Sequence, residues 1–257
     1  MTLATKFMTL EGRFKMHRGG YLESPTLAYE TWGELNAAKD NAILIFTGLS
    51  PSAHAASSGE DPTPGWWENM IGEDLPLDTD KYCIICVNSL GSCFGSTGPA
   101  SVNPETGERY GISFPTLSLE DVAESAYQVV RRLGIQRLHT VVGCSMGGMS
   151  GIALCVKHPD AVAGFISISS SARPLPWAIG IRSLQREMIR SDPKWRDGHY
   201  DPADPPITGQ RLARKLGMIS YRSPEEWEKR FGRERVTDVG PVDDRFRIEF
   251  SVESYME

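Results

Sequence analysis

The run Gly143-Cys144-Ser145-Met146-Gly147-Gly148 follows the apolar stretch His139-Thr140-Val141-Val142 and precedes a helical pattern from Met149 to Lys157. A serine flanked at this spacing by glycines, between a strand and a helix, is the arrangement of a nucleophile carried on a sharp turn. The requirement is steric: a side chain at Gly143 or Gly147 would meet neighbouring chain, and Ser145 itself must sit in a strained conformation. Ser145 then projects from the sheet edge with a helix N-terminus behind it, and the Met146 N–H points at the oxyanion formed when the hydroxyl attacks a carbonyl. An ordinary Gly-rich turn is the alternative for the same residues. Cys144 is turned away from the site by its place in the turn and takes no catalytic role.

A second oxyanion donor should come from the loop after an earlier strand. Ile43-Leu44-Ile45-Phe46-Thr47-Gly48-Leu49-Ser50 fits: a buried strand runs into Thr-Gly, the glycine permits close backbone approach, and the Leu49 N–H is the candidate donor. A simple strand exit is the competing reading. The loop Asn88-Ser89-Leu90-Gly91-Ser92-Cys93-Phe94-Gly95-Ser96-Thr97-Gly98-Pro99 resembles a phosphate cradle, but it lacks the Gly-Lys-Ser/Thr ending and no helix clearly follows. It reads instead as a rigid wall of the site.

Positioning these residues calls for a sheet. Candidate strands are Leu27 to Trp32, Ala42 to Thr47, Tyr82 to Val87, His139 to Gly143 and Gly164 to Ser169, alternating with longer helical patterns, as in a mostly parallel sheet covered on both faces. The clearest helix is Leu119 to Leu133, with Ser118 as N-cap, Asp121 three residues on, and Val122, Ala126, Val129 and Leu133 on one face before Gly134. From Pro174 to about Arg235 the sequence is helical and polar, with Trp177, Ile181, Leu184 and Met188 at helical spacing and a start signal at Ser223-Pro224-Glu225-Glu226. A division follows: residues 1–172 as an α/β core, and 173–257 as a helical lid region.

Composition narrows the function. With 27 Lys plus Arg against 33 Asp plus Glu, the net charge of -6 provides no field for a polyanion, so nucleic-acid binding is not expected. No apolar run approaches the roughly 20 residues that cross a bilayer, and the start lacks a signal-peptide stretch, so a cytoplasmic protein without membrane attachment is expected. Five cysteines, an odd number set mostly in apolar segments, read as reduced thiols. Cys83-Ile-Ile-Cys86 lies in a strand, not in the loop a redox dithiol needs, and no second pair completes a metal site.

Several stretches carry a family resemblance: Phe46-Thr-Gly-Leu-Ser-Pro-Ser-Ala-His-Ala-Ala-Ser-Ser58, Gly65-Trp-Trp-Glu68, Asn88 to Pro99, Gly143 to Gly148, Leu184-Gln-Arg-Glu187, Leu212-Ala-Arg-Lys-Leu-Gly217 and Tyr221-Arg-Ser223. Over nearly its whole length the chain resembles the homoserine O-acyltransferases of the α/β-hydrolase superfamily, and among them the succinyl-CoA-using branch. The resemblance implies that fold, with a helical lid, and acyl transfer from succinyl-CoA to the hydroxyl of L-homoserine or L-serine in methionine or cysteine biosynthesis. It implies a ping-pong course through a Ser145 acyl-enzyme, shielded from water. Arg214 would hold the amino-acid carboxylate, and Arg182 is the candidate for a succinyl carboxylate, with a solvated helix-face arginine as the alternative. A homodimer is implied; acyl-CoA is a co-substrate, and no metal or prosthetic group is called for. Acetyl-CoA as donor, and an inactive binding remnant, are the competing functions.

The acid and base of a serine triad follow the nucleophile in this fold. After Ser145 the only histidines are His158 and His199. His158 ends the helix leaving the turn, about 20 Å away at 1.5 Å per residue. His199 lies inside the helical region, not after a strand. His17 and His54 precede the nucleophile, and His54 reads as a loop hydrogen-bonding residue. The segment from Phe246 to Glu257 reads as a helix beginning, so the triad Asp and His and the last core strands are expected to be absent from this chain.

Overall fold

The structure, a computed structural model, describes residues 3–236 and 247–257. They divide into two compact units, one ending at Arg173 and the other starting at Pro174.

In the first unit the strands are β1 (Lys6–Thr9), β2 (Arg13–Lys15), β3 (Tyr21–Glu23), β4 (Thr26–Trp32), β5 (Ala42–Phe46), β6 (Ile71–Gly72), β7 (Leu77–Asp78), β8 (Cys83–Val87), β9 (Thr140–Cys144) and β10 (Phe165–Ile168). Six of them form the central sheet in the order β1-β4-β8-β5-β9-β10. Pairing is parallel from β8 through β5 and β9 to β10, whereas β1 and β4 run antiparallel. All five expected strands are present within a residue or so of their expected ends. The antiparallel margin comes from the N-terminal part of the chain, the short β1 and the seven-residue β4.

Alternation along the central strands divides the core into two layers. Ala42, Leu44 and Phe46 of β5, with Cys83, Ile85 and Val87 of β8, join one apolar cluster. Ile43 and Ile45, with Ile84 and Cys86, join another on the opposite face. Each fully buried Leu, Ile or Phe contributes about 1.5–3 kcal/mol by leaving water. Because Cys83 and Cys86 belong to opposite layers, they cannot approach one another, and all five cysteines are free thiols. Burial pushes the Cys86 thiol far up, which makes it inert at neutral pH.

The first layer is closed by α1 (Leu119–Arg132) and α2 (Met146–Lys157). The start of α1 is fixed as its sequence suggests: Asp121 accepts from the Ser118 N–H (2.8 Å) and hydroxyl (2.9 Å), and from the His17 N–H (2.6 Å). The second layer is closed differently. No long helix lies between β5 and β8; the segment joining them, with Ala55, Ala56, Trp66, Trp67, Ile71 and Leu77, packs on the sheet directly. Prolines and glycines through residues 51–65 preclude a helix there.

The second unit is helical, with α3 (Pro176–Arg190), α4 (Ile207–Ser220), α5 (Pro224–Phe231) and α6 (Ser251–Met256). Helices α3 and α4 cross closely, since a Cβ on Gly209 would stand 2.5 Å from the Met188 carbonyl. The Asp192 carboxylate accepts from the Gly209 N–H at 2.9 Å and tethers the crossing. Trp177 and Leu184 of the apolar stripe on α3 are exposed, and no residue of that helix is fully buried. The expected helical start near the C-terminus is α6; Phe246 lies outside the described residues.

Candidate active site

Ser145 occupies the link between β9 and α2 with φ 53° and ψ −118°, a conformation that costs a non-glycine residue about 1–3 kcal/mol. Three backbone bonds hold it: its N–H donates to the Ile168 carbonyl (2.9 Å), and its own carbonyl accepts from Gly148 (3.1 Å) and Met149 (3.4 Å). The flanking glycines are required by contact. A Cβ at Gly143 would lie 2.3 Å from the Gly147 carbonyl oxygen, and one at Gly147 would lie 2.2 Å from that of Phe46. The turn is therefore wedged between the end of β5 and the exit of β10. Ser145 itself is exposed, and among the described residues its hydroxyl has no hydrogen-bond partner.

Leu49 and Met146 border the same cavity of about 950 Å³, together with Ser89, Ser92, Met149 and Leu119, and with His17, Arg18 and Lys157 also in its lining. Met146 is the first residue of α2, where unpaired amides and the helix dipole favour negative charge. The Leu49 amide donates to no acceptor among the described residues. Gly48 differs from expectation. An added Cβ would meet only ordinary contact, 3.7 Å from the Cys144 carbonyl, so the approach of this loop to the turn does not depend on the glycine. Burial raises the Cys144 thiol, which leaves it protonated beside Ser145.

The loop from Asn88 to Pro99 is pinned to β4. The Ser96 hydroxyl donates to the Asn88 carbonyl (2.7 Å) and accepts from the Ala28 N–H (3.0 Å), while the Thr97 hydroxyl accepts from the Thr26 N–H (2.9 Å). Ser89 and Thr47 hydroxyls meet at 3.1 Å and tie the exits of β8 and β5 together.

None of His54, His158 and His199 is hydrogen-bonded to Ser145 among the described residues. Both ring nitrogens of His54 are engaged, Nδ1 with Glu30 at 2.9 Å and Nε2 with the Thr63 carbonyl at 2.8 Å. His158 contacts Glu124 through Nε2 at 2.9 Å and stacks on Tyr127 at the far end of α2. His199 is exposed in the helical unit, after the bent stretch Pro193–Gly198. Arg214 on α4 and Arg182 on α3 are also exposed side chains of that unit. Among the described residues no cluster of His, Cys, Asp and Glu could hold a metal ion, and no helix is long and apolar enough to cross a membrane. The Glu30–His54 contact escapes sequence reasoning because its members lie 24 positions apart; the one available signal is a lone Glu among the apolar residues of β4.

Sheet order and the strained serine turn between β9 and α2 define a protein of the α/β-hydrolase fold, and residues 41–245 match the model of the alpha/beta hydrolase fold family. An L-serine/homoserine O-acetyltransferase of Streptomyces lavendulae is 57% identical over 255 residues, covering 99% of this chain and 68% of that one. A serine O-succinyltransferase of Xanthomonas campestris pv. campestris is 55% identical over 253 residues, covering 98% and 67%. The crystal structure of a homoserine O-acetyltransferase from Bacillus anthracis superposes with a TM-score of 0.88 at 29% identity, over 100% of this chain and 70% of that one. Within the fold, the chain belongs to the serine and homoserine O-acyltransferase family, and it spans about two thirds of the length of these relatives.

Proposed function

We propose that the chain serves acyl transfer from an acyl-CoA, succinyl-CoA in the first instance, to the hydroxyl of L-homoserine or L-serine. The observation that carries this reading is the strained Ser145 turn beside a cavity bordered by both Leu49 and Met146. Ser145 Oγ attacks the thioester carbonyl, the carbon–sulfur bond breaks, and CoA departs as the thiol with the serine proton. The acceptor hydroxyl then attacks the acyl-serine ester and regenerates Ser145. The Leu49 and Met146 amides stabilise the oxyanion in both halves. On the family resemblance Arg214 takes the acceptor carboxylate, and Arg182, on the helix that carries Trp177 and Ile181, is the candidate for the succinyl carboxylate.

The test is CoA release from succinyl-CoA and acetyl-CoA, each with homoserine and with serine, on a full-length gene product with and without Ser145→Ala. Release with at least one pair, lost in the variant, is the expected result; no release with any pair refutes the proposal. Acetyl transfer is a second reading, supported by the 57% identity to a protein named as an acetyltransferase. It predicts a reversed donor preference and indifference to Arg182→Ala. Binding of acyl-CoA without release identifies a binding remnant.

A further inference from the structure

The loop that carries Leu49 is itself the cover of one sheet face, and a buried ionic contact fastens it there. Glu30 lies on β4 with 1% of its surface exposed, and Trp32 two residues on belongs to the apolar layer beneath the loop. A carboxylate in such a layer is costly unless compensated. Its oxygens meet the Thr5 hydroxyl (2.8 Å) and His54 Nδ1 (2.9 Å). His54 is 8% exposed and stands five positions after Leu49. The intervening segment is held at Ser52, whose carbonyl accepts from Trp66 Nε1 at 2.9 Å. Beyond His54, the carbonyls of Ala56 and Ser57 accept from Trp32 Nε1 at 3.2 and 3.0 Å.

The partners of His54 determine its protons. Nε2 faces the Thr63 carbonyl, which can only accept. The Thr63 hydroxyl, 3.2 Å away, cannot serve as donor because it donates to Asp61 Oδ1 at 2.6 Å. Nδ1 faces a carboxylate. When Nδ1 donates to the Glu30 carboxylate as Nε2 does to the Thr63 carbonyl, the ring carries both hydrogens and the pair is an imidazolium against a carboxylate. Among the described residues, the charged groups that act on it are acidic: Glu30 from β4, Asp61 from the loop, and Glu68 from the short helix Glu68–Met70, which also accepts from the Gly65 and Ser57 amides. Burial works to lower the His54 pKa, but the Glu30 and Thr63 hydrogen bonds and the surrounding negative charge outweigh it, and the value lies above that of an ordinary histidine.

We propose that Glu30 and His54 are positioning residues, a buried imidazolium–carboxylate clamp that seats residues 48–58 on the sheet and so sets where the Leu49 amide lies. The importance of Leu49 rests on the acyl-transfer reading; the clamp does not. Loss of the ring proton leaves a lone pair facing an oxygen, so the loop loosens as pH rises through the His54 pKa and stays seated below it.

The test uses the full chain. Nitrogen-15 NMR of His54 should show a doubly protonated ring at pH 7. Amide hydrogen exchange in residues 48–58, corrected for intrinsic pH dependence, should accelerate as that ring deprotonates, while α1 exchange stays constant. Glu30→Gln and His54→Gln should accelerate loop exchange at pH 7, and lower kcat for acyl transfer by about 10- to 100-fold with KM within about twofold, as expected for an amide misplaced by about 1 Å. A singly protonated ring at pH 7, or loop exchange indifferent to ring titration, overturns the clamp even if both variants fail to fold. A wild-type chain that transfers no acyl group refutes the acyl-transfer reading, while the NMR and exchange results still decide the clamp.

Discussion

Replacing Gly147 by alanine is the sharpest perturbation of the serine turn. The new Cβ would stand 2.2 Å from the Phe46 carbonyl oxygen and 2.7 Å from that of Thr47. Both obstacles are backbone at the end of a fully buried strand, so neither can swing aside. The first contact must lengthen by about 0.8 Å merely to reach 3.0 Å, below which real Cβ contacts essentially do not occur. Helix α2 has to back away from β5, and that motion separates Met146, at its tip, from Leu49, just beyond the strand. Overpacking of this kind costs about 1–3 kcal/mol, equivalent to a fall in Tm of about 2–12 °C for a chain of this size. A misplacement near 1 Å at the reacting centre costs up to about 100-fold in rate, or about 2.7 kcal/mol of transition-state stabilisation. Thermal melting and CoA release measure the two effects separately. A variant that melts within about 1 °C of wild type and retains its rate within about twofold would refute the steric account of the turn.

Gly180→Ala is the matching control: it sits inside α3 with nothing within 4 Å of an added Cβ. It should stabilise the helical unit by about 1 kcal/mol, read as a higher denaturant midpoint. Thiol labelling of the native chain should modify exposed Cys93 first and spare Cys83 and Cys86, whose thiols are buried and raised; rapid labelling of either would contradict the layered core. The Asp192 carboxyl is held below its ordinary pKa by the Gly209 and Lys194 amides. Its contribution is therefore complete above the unfolded value of about 3.9 and disappears as pH falls through the lower folded one. Asp192→Asn should reduce Tm at pH 7 and flatten its decline below about pH 4; an unchanged acid profile would show that the carboxylate does not tether α3 to α4.

What the sequence disclosed and concealed follows the range of the interactions concerned. The serine turn and the Ser118–Asp121 helix start are local, and they stand where spacing alone places them. The central strands are apolar on both faces and could be read as uninterrupted runs. β1, β2 and β3 were hidden because each is only three or four residues long, mixes polar with apolar side chains, and is fixed by partners 6 to 23 positions away. The cover between β5 and β8 has no period to detect, since it packs through Trp66, Trp67 and a set of turns. The candidate donors Leu49 and Met146 are read from neighbouring residues, whereas the Glu30–His54 contact joins a strand to a loop and has no short-range signature.

The twisted backbone at Ser145 also bears on how this protein would respond to laboratory selection. Glycine adopts φ 53°, ψ −118° without the penalty a serine incurs, so Ser145→Gly should melt higher than the natural chain by the equivalent of about 1–3 kcal/mol. Folding and chemistry thus pull this position in opposite directions. A screen that rewards only yield or heat resistance would discard the proposed nucleophile among its first improvements, and a library built on this scaffold needs an activity filter from its first round.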